Sequence, residues 1–460
     1  MPNPPTWTKT EKVMSFDPLQ TADRNYSWHP FTSSDDDLGA GPLVIVRGEG
    51  EYLWDSRGNR YLDGNSSIWC NLHGHNHPRL NRALRDQLAK IAHSSFLGHS
   101  NEPASLLAKE LIDTLHGPAP LGFPGSVDRR HLPSRVFFSD NGSCANEIAA
   151  KMAVQYFGMT GQPQRKLLVA FANAYHGDTM LNVSLGGVGT FSRPYESLML
   201  RREEDGHTAD SPQVILVEDA AEFSTLAETR GAQIAAVFLE SSLHGAGGML
   251  PHAPGFMTQV AQGARTCGAL LIMDEVLAGF GRTGHFLGCY AGGFAPDFIT
   301  LSKGLTGGYM PLAITLAPEH VYEAFSGDYY SGRLLYHGHT YTAHPLGCAV
   351  ARENLKIFQE EDILAQVAQK IPLLESGLAR LGKSPGVKEV RSIGLIGAVE
   401  MIPDKCRGDR ARAICLAARA YGLLTRPVGD SIVLMPPYCI SPENLTLLFE
   451  ALEKAIDSIT

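Results

Sequence analysis

The chain has 460 residues, of which 44% are hydrophobic and 19% are charged, a balance typical of a globular protein with two or three lobes. Its formal net charge is -9 and no Lys/Arg-rich run stands out, so no nucleic-acid partner is expected. No apolar run approaches the roughly 20 residues that span a bilayer, and we expect no membrane association.

The eight cysteines include no Cys-x-x-Cys pair, and the N-terminal segment lacks the basic and apolar regions of a secretory signal. Together these features predict a protein of the reducing cytoplasm. The histidines raise a metal hypothesis, above all His73, His75 and His77. A glycine and a proline lie among and beside them, and the sequence predicts no metal site there.

The N-terminal region begins with residues 1–22, which are rich in Pro and Thr and lack periodicity, and we expect a loosely held arm. Short antiparallel strands are predicted at 43–46 and 51–54, with tight turns at 48–50 and 58–59. We expect residues 23–77 to form the N-terminal part of a small domain.

Residues 78–344 are predicted to form a large domain. Helices are expected from residue 78 and over 102–115, because apolar residues recur there with helical spacing. From residue 135 onward strands and helices alternate, which predicts a mostly parallel α/β sheet with helices on both faces. Residues 179–230 combine a glycine-rich stretch with variable polar sequence, and we expect a substrate-side loop and an excursion.

The C-terminal region, residues 345–460, is predicted to complete the small domain. A long helix is expected over 345–358, and amphipathic helices and short strands share the remaining hundred residues. The smaller α+β domain would therefore be built from both ends of the chain.

Polar or reactive residues follow five of the predicted strands of the large domain. In an open α/β sheet, ligands bind outside the carboxyl ends of the strands, so these residues can meet at one site. They are Ser143, Tyr175 with His176, Glu240, Asp274 and Lys303. A strand ending in an acid and a later one ending in a lysine are what a pyridoxal phosphate (PLP) enzyme requires. The lysine binds the cofactor covalently, and the acid holds a proton on its pyridine nitrogen.

Ordinary roles compete at each of these positions. Lys303 alone could simply reach solvent from its strand end. The helix that opens at Gly142 and Ser143 offers N–H groups to a phosphate, yet many helices begin this way only to be capped. Tyr175 can lie flat on an aromatic ring or be a buried structural tyrosine. Glu240 could be a structural acid paired with an arginine.

A longer motif supports the cofactor hypothesis. It consists of Asp274-Glu275-Val276, a glycine-rich run over 279–284, Pro296-Asp297 and Ser302-Lys303-Gly304. This pattern resembles the signature of the class III (subgroup II, ω-type) PLP-dependent aminotransferases, and the resemblance covers about residues 25–457. It implies PLP as the cofactor and the type I fold of PLP-dependent transferases.

Further stretches resemble one subfamily of that class, which makes 7,8-diaminononanoate from 8-amino-7-oxononanoate in biotin synthesis with S-adenosylmethionine as the amino donor. They are 28–32, 63–69, 73–78, 174–179, 245–249, 337–340 and 426–438. This resemblance implies small-molecule substrates and a homodimer with shared active sites.

The resemblance also implies roles for individual residues. Lys303, Asp274 and Tyr175 would be catalytic. The implied cofactor-binding residues are Gly142, Ser143, Tyr175, His176, Glu240, Asp274, Lys303 and, from the other subunit, Thr340. The implied substrate-binding residues are Phe31, Ile68, Trp69, Gly338, His339 and Arg426. Arg426 would bind the keto-acid carboxylate in bidentate fashion, and Trp69 would line the channel for the alkyl chain.

Four positions depart from the best-known form of the subfamily. Phe31 stands in place of a Tyr, Ile68 in place of a Trp, His339 in place of a Pro, and Ser241 in place of a Pro. The segments around Ile68 and His339 are more similar to the branch found in Gram-positive bacteria, some of whose members take the amino group from lysine. The amino donor is therefore open between S-adenosylmethionine and lysine.

The expected reaction is a ping-pong transamination, in which a charged donor and an apolar keto acid use one site in turn. The nearest alternative is another ω-aminotransferase that acts on ornithine, 4-aminobutyrate or a diamine. A PLP-dependent mutase and a regulatory or scaffold protein without activity are more distant alternatives. The intact Lys303 and Asp274 argue against a decayed site.

Overall fold

The computed structural model describes residues 16–33, 42–125, 127, 131–200 and 213–459. The strands in these ranges are β1 (Ile45–Glu49), β2 (Tyr52–Asp55), β3 (Arg60–Asp63), β4 (Arg135–Ser139), β5 (Leu167–Phe171), β6 (Gln213–Val217), β7 (Ile234–Glu240), β8 (Leu243–His244), β9 (Leu250–Pro251), β10 (Leu270–Asp274), β11 (Phe298–Leu301), β12 (Ala313–Ala317), β13 (Val387–Ile393), β14 (Ile396–Met401), β15 (Leu423–Leu424), β16 (Arg426–Val428) and β17 (Ser431–Leu434).

The α-helices in the same ranges are α1 (Pro18–Tyr26), α2 (Ser66–Trp69), α3 (Pro78–Lys90), α4 (Glu102–His116), α5 (Gly142–Met159), α6 (Met180–Leu185), α7 (Gly189–Ser192), α8 (Ala220–Arg230), α9 (Phe256–Cys267), α10 (Glu319–Ala324), α11 (Pro345–Glu360), α12 (Ile363–Leu381), α13 (Asp409–Ala418) and α14 (Pro442–Ile459). Within the described part of the chain, none of them is both long and apolar enough to cross a membrane.

The central sheet has seven strands in the order β4-β12-β11-β10-β7-β5-β6. Only β12 runs antiparallel to its neighbours, while the remaining pairs in the sheet are parallel. Every residue of β5, β7, β10 and β11 is buried, which explains their continuous apolar sequences. The predicted type I fold, with a mostly parallel sheet, is confirmed.

Helix α11 packs against α3 and α4 of the large-domain region. Arg352 on α11 forms an ion pair with Glu110 on α4, at 2.5 Å. Arg79 on α3 lies 2.7 Å from Glu353 on α11. The helix that follows the predicted boundary at residue 344 is therefore tied to the large-domain helices, and the boundary itself stays a prediction.

Two four-stranded sheets lie outside the central sheet, with the orders β1-β2-β3-β15 and β13-β14-β17-β16. In the first of them, β15 pairs in parallel with β3, so that Leu423 lies opposite Leu62 and Leu424 opposite Asp63. Segments from near the two ends of the chain therefore share one sheet, as expected for a smaller unit built from both ends.

The structure differs from the sequence prediction at the N-terminus. The arm predicted over 1–22 lies outside the described residues up to residue 15, but its last part belongs to helix α1. Asp17 caps this helix by accepting a hydrogen bond from the Gln20 N–H at 2.9 Å. Gln20 Nε2 donates to the carbonyl oxygen of Pro42 at 2.9 Å, and Ser56 Oγ donates to Asp17 at 2.6 Å. These bonds hold α1 on the protein.

The excursion predicted over 179–230 is corrected by the structure. This region contains α6, α7, a 3₁₀ helix at Arg193–Leu198, strand β6 and helix α8. Strand β6 is the edge strand of the central sheet, beside β5. The apolar run over 214–217 was the signal for this strand, but the polar sequence before it, which lies outside the described residues, obscured it.

Candidate active site

The carboxyl ends of β5, β7, β10 and β11 and the N-terminus of α5 surround a cavity of about 220 Å³. The lining includes the predicted residues Trp69, Gly142, Ser143, Tyr175, His176, Glu240, Asp274 and Lys303. Residues from distant parts of the sequence thus meet at one edge of the sheet, where α/β proteins bind their ligands.

Lys303 follows β11 directly and begins a short 3₁₀ helix, Lys303–Thr306. Its φ of 41° lies in the left-handed region, which costs a side-chain-bearing residue of order 1–3 kcal/mol and is typical of functional sites. Burial lowers the pKa of the Lys303 amine, against the opposing effect of the Asp274 carboxylate. The amine lies 4.9 Å from the centre of the Trp69 ring. Lys303 therefore faces the cavity and is suited to act as a nucleophile.

Asp274 ends β10 and is fixed by three hydrogen bonds. Its Oδ2 accepts from Asn146 Nδ2 at 2.8 Å and from His176 Nδ1 at 2.9 Å, while Oδ1 accepts from the Val276 N–H at 3.0 Å. Asn146 is held in turn by Thr300, whose hydroxyl donates to Asn146 Oδ1 at 2.7 Å. The carboxylate is therefore rigidly oriented. Sequence analysis missed Asn146, whose position on the sheet-facing side of α5 was its only signal.

The start of α5 forms a narrow cradle next to Ser143. Asn141 caps the helix by accepting from the Cys144 N–H at 3.0 Å, and the N–H groups of the first turn are those that a helix offers to an anion. A Cβ atom on Gly142 would lie 2.8 Å from Val276. At Gly177, where φ is 127°, a Cβ atom would lie 1.9 Å from Ser143 Oγ. Both glycines let neighbouring side chains, Val276 and Ser143, approach the start of α5 closely.

Glu240 ends β7 and holds the segment that carries Tyr175. Its Oε2 accepts from the Tyr175 N–H at 3.0 Å and lies 3.3 Å from His244 Nδ1, while Oε1 accepts from the Gly245 N–H at 3.1 Å. Glu240 is therefore held by these partners, and not by the arginine that was expected to pair with it if its role were purely structural. The Tyr175 hydroxyl donates to Asp178 at 2.8 Å, and burial together with this bond raises the pKa of Tyr175. The tyrosine ring is thus fixed from both ends.

Trp69 lies at the end of α2, a short and irregular helix. Ser66, Ser67 and Trp69 have positive φ values of 45°, 58° and 64°. Trp69 is buried, and its Nε1 donates to Asn65 Oδ1 at 2.9 Å. Ile68 is 45% exposed and lies outside the lining of the cavity. The backbone strain therefore turns Trp69 toward the cavity and leaves Ile68 at the surface.

Phe31 and Arg426 line a second, larger cavity of about 1420 Å³ between the segment that contains α1 and the α13–β16 region. Phe31 is 62% exposed, whereas Arg426 is half-buried. Burial lowers the pKa of Arg426, and nearby groups that include Tyr175 oppose this change.

The predicted residues Gly338, His339 and Thr340 lie outside the lining of both cavities. Gly338 and Thr340 are exposed. His339 Nδ1 lies 3.9 Å from Asp140 Oδ2, just before the start of α5. One subunit therefore does not bring this loop to Lys303, and the role of Thr340 across a subunit interface stays a prediction.

Sequence analysis did not identify Phe191 of α7 as a site residue. Its ring contacts Tyr175 edge-on, with centroids 5.8 Å apart and an interplanar angle of 75°. It also contacts Phe31, at 5.3 Å and 70°. Phe191 lies in the region predicted as an excursion, and both of its contacts are tertiary, so the sequence held no signal for it.

The structure supplies a physical account of Ser241, the residue that follows β7. Ser241 Oγ donates to Glu275 Oε1 at 2.6 Å, and its backbone N–H donates to the carbonyl oxygen of Asp274 at 3.1 Å. A proline could make neither bond. Glu275 also accepts from the N–H groups of Gly288 and Cys289, at 2.8 and 2.7 Å. Burial raises the pKa of Glu275, and these donors oppose the increase.

Among the three histidines of the metal hypothesis, the rings of His73 and His77 lie 5.7 Å apart, but His73 and His75 have different polar partners. His73 Nε2 lies 2.7 Å from Asn354 Oδ1, and burial lowers the pKa of His73 to about 4. His75 Nε2 lies 2.9 Å from Asp63 Oδ2. Over the ranges that the structure describes, no group of three or more His, Cys, Asp or Glu side chains is arranged to hold a metal ion.

The cavity combines the groups that PLP requires. It contains an amine with a lowered pKa, an oriented carboxylate, the N-terminus of helix α5 and a fixed aromatic ring. The amine suits covalent attachment of the cofactor, and the carboxylate suits a protonated ring nitrogen. The helix N-terminus suits a phosphate, and the aromatic ring suits the planar ring of the cofactor.

Comparison with known proteins gives the same cofactor. Residues 35–456 match the family model of the class-III aminotransferases. The chain is 38% identical to the adenosylmethionine-8-amino-7-oxononanoate aminotransferase of Geobacter sulfurreducens, over 96% of this chain and 98% of that protein. The crystal structure of the protein of that name from Methanocaldococcus jannaschii is 34% identical, with a TM-score of 0.86 and coverage of 96% and 99%. An ω-transaminase from Pseudomonas jessenii, solved in complex with PMP, is 30% identical, with a TM-score of 0.85 and coverage of 96% and 98%.

Proposed function

Because this chain belongs to the class III family of PLP-dependent aminotransferases, we propose that it converts 8-amino-7-oxononanoate to 7,8-diaminononanoate in biotin synthesis. The proposed amino donor is S-adenosylmethionine, with lysine as the alternative. The observation that carries the proposal is the similarity, over nearly the whole of both chains, to a protein named for this reaction. The aromatic side chains of Trp69 and Tyr175 in the first cavity and Arg426 in the second agree with a long keto acid.

Bound PLP supplies an electron sink for the carbon that carries the transferred amino group. Lys303 is proposed to hold the cofactor covalently and, once released by the donor, to move a proton at that carbon. Asp274, oriented by Asn146 and His176, is proposed to keep the pyridine nitrogen protonated. Tyr175 is proposed to lie along the cofactor ring.

The start of α5 is the proposed phosphate site, through Gly142 and Ser143. The homodimer implied by the sequence resemblance would add Thr340 of the second subunit to the same phosphate. The exposure of Thr340 is compatible with such a contact. Measurement of the molar mass of the holoenzyme in solution tests the dimer directly.

Arg426 is the proposed partner of the keto-acid carboxylate. A half-buried guanidinium binds a carboxylate with two parallel hydrogen bonds, which fixes the orientation of the substrate. Trp69, which faces Lys303, is proposed to cover the alkyl chain. Phe31 lies where the donor would be recognised, and it offers no hydroxyl group to a donor.

The decisive experiment is an assay of the purified holoenzyme with 8-amino-7-oxononanoate and either S-adenosylmethionine or lysine. We expect 7,8-diaminononanoate with one of these donors and none from the Lys303→Ala variant. If neither donor gives product, the biotin assignment is excluded.

The second candidate is a different ω-aminotransferase activity, which the similarity to the Pseudomonas jessenii enzyme favours. Turnover of ornithine, 4-aminobutyrate or a diamine, without turnover of 8-amino-7-oxononanoate, identifies this case. A protein that shows no visible absorbance of bound cofactor after PLP is added would have lost the chemistry of the family.

A further inference from the structure

Three aromatic rings form a series of edge-on contacts that joins a residue of one cavity to a residue of the other. We name Phe31, Phe191 and Tyr175 the three-ring wall. Phe191 is its middle member, with ring centroids 5.3 Å from Phe31 and 5.8 Å from Tyr175, both in edge-on contact. Tyr175 lines the cavity of Lys303, and Phe31 lines the cavity of Arg426. The wall therefore joins a residue of the Lys303 cavity to a residue of the Arg426 cavity through a ring that lines neither cavity itself.

The middle ring is held in place through the backbone. The Gly187 N–H donates to the carbonyl oxygen of Ala174 at 2.7 Å, next to Tyr175 in sequence. The approach is so close that a Cβ atom on Gly187 would lie 2.4 Å from the backbone nitrogen of Asn173. Phe191 itself is half-buried on α7, the helix that begins two residues after Gly187. Its position relative to Tyr175 is therefore fixed by backbone contacts.

The face of the wall is chemically apolar. Phe31 and Phe191 carry no polar side-chain atom, and the Tyr175 hydroxyl is engaged with Asp178 at 2.8 Å. Trp69 lines the same cavity as Tyr175. A surface of this kind favours methylene groups and disfavours a polar chain that would lose hydration without new hydrogen bonds.

We propose that Phe191 is a specificity-determining residue that selects methylene chains ending in a carboxylate, by their length. The chain lies against the three-ring wall, and Arg426 binds the carboxylate, a pairing that rests on the proposed function. Affinity then depends on chain length through Phe191 and on the carboxylate through Arg426. The two residues make separable contributions.

The test measures binding of unreactive saturated monocarboxylates, from butanoate to nonanoate, to the PLP-loaded protein by titration calorimetry. In the wild type we expect Kd to fall by about fourfold for each added methylene group, the usual gain from burying one such group. Phe191→Ala should reduce this gain to less than about twofold, and Phe191→Leu should give an intermediate value. Arg426→Ala should weaken binding at every length by a similar factor and leave the gain per methylene group unchanged.

Tyr195→Ala is the matched control, because Tyr195 is an aromatic residue in the 3₁₀ helix that follows α7 and is 46% exposed. This variant should bind the series as the wild type does. An unchanged gain per methylene group in both Phe191 variants overturns the proposal. A loss of affinity in the Phe191 variants that is equal at all chain lengths also overturns the proposal, because it would show a merely structural role for Phe191. A wild type whose affinity does not depend on chain length overturns it as well.

The carboxylate series requires no turnover, so its outcome is independent of the assay for 7,8-diaminononanoate. A wild type that makes no diaminononanoate but loses its chain-length dependence in Phe191→Ala refutes the biotin assignment and retains the role of Phe191. A wild type that makes diaminononanoate, together with an unchanged chain-length dependence in Phe191→Ala, retains the biotin assignment and refutes the role of Phe191.

Discussion

The hydrogen bond between Ser241 and Glu275 predicts a stability loss that can be separated into two parts. Ser241→Ala removes the Oγ–Oε1 bond of 2.6 Å and keeps the backbone N–H of residue 241, which donates to Asp274. Ser241→Pro removes both. The bond to Glu275 has an ionisable acceptor in a fully buried setting, where a hydrogen bond to a charged group contributes about 1.5–3 kcal/mol.

Ser241→Ala should therefore lower the free energy of unfolding by about 1.5–3 kcal/mol at neutral pH. Ser241→Pro should cost about 1 kcal/mol more, the usual contribution of a backbone hydrogen bond. Ser242→Ala is the matched control, because Ser242 is also buried but donates to the neutral carbonyl oxygen of Gly288 at 3.2 Å. Ser242→Ala should lower the free energy of unfolding by about 1 kcal/mol or less.

The loss should also depend on pH. Burial raises the pKa of Glu275 in the folded protein, so its contribution to stability is present below the unfolded pKa and is lost as pH rises through the folded pKa. Ser241 opposes that increase in pKa by donating to the carboxylate. Without Ser241 the folded pKa of Glu275 rises further, and the stability loss in Ser241→Ala should grow as pH rises above the unfolded pKa of the glutamate.

Urea unfolding of the wild type, Ser241→Ala, Glu275→Gln and the double variant gives the coupling energy of the pair. We expect a coupling of at least about 1 kcal/mol at neutral pH. A coupling near zero, together with equal losses in Ser241→Ala and Ser242→Ala, would refute the reasoning.

The remaining predictions concern the cofactor site. Asn146→Leu should lower kcat by about 10–100-fold with little change in KM, because one charge-assisted hydrogen bond to the catalytic carboxylate is lost; steady-state kinetics with an unchanged kcat would contradict this. Gly177→Ala should raise the Kd of PLP at least about tenfold, because the added Cβ displaces Ser143, whereas Gly161→Ala, with φ of 81° and open space, should not. Equilibrium titration of the two apoenzyme variants with PLP gives both Kd values. Equal increases in Kd for Gly177→Ala and Gly161→Ala would refute the role of the α5 start in binding the phosphate. The rate at which the apoenzyme captures PLP should rise with pH to a midpoint below that of free lysine, because burial lowers the pKa of Lys303 and exposes the neutral amine at lower pH. Stopped-flow absorbance gives this midpoint, and a value equal to that of free lysine would show that burial has no such effect.

The central part of the fold was predictable because a strand that is buried on both faces of its sheet has a mostly apolar sequence. Strands β5, β7, β10 and β11 are mostly apolar runs, and a polar residue lies at the end of each strand or within two residues after it. The rule that parallel strands present their carboxyl ends at one edge then brought Asp274 and Lys303 together without any tertiary information.

Features that depend on tertiary contacts could not be predicted. Among the described strands of the sheet only β12 is antiparallel to its neighbours, and it lies between β11, which precedes it in sequence, and the distant strand β4. The hydrogen bonds of Asn146 to Asp274 and of Ser241 to Glu275 join different elements. The contacts of Phe191 likewise exist only after α7 packs next to Tyr175.

The pairing of β15 with β3 has a consequence for biosynthesis. Until Leu423 and Leu424 leave the ribosome, β3 has no partner on one side and is an open sheet edge. At the usual elongation rates of about 5–20 residues per second, that interval lasts on the order of 20–70 s. The N-terminal sheet of the nascent chain is therefore a natural client for chaperones, and a message cut short before codon 423 yields a product whose aggregation-prone edge never closes.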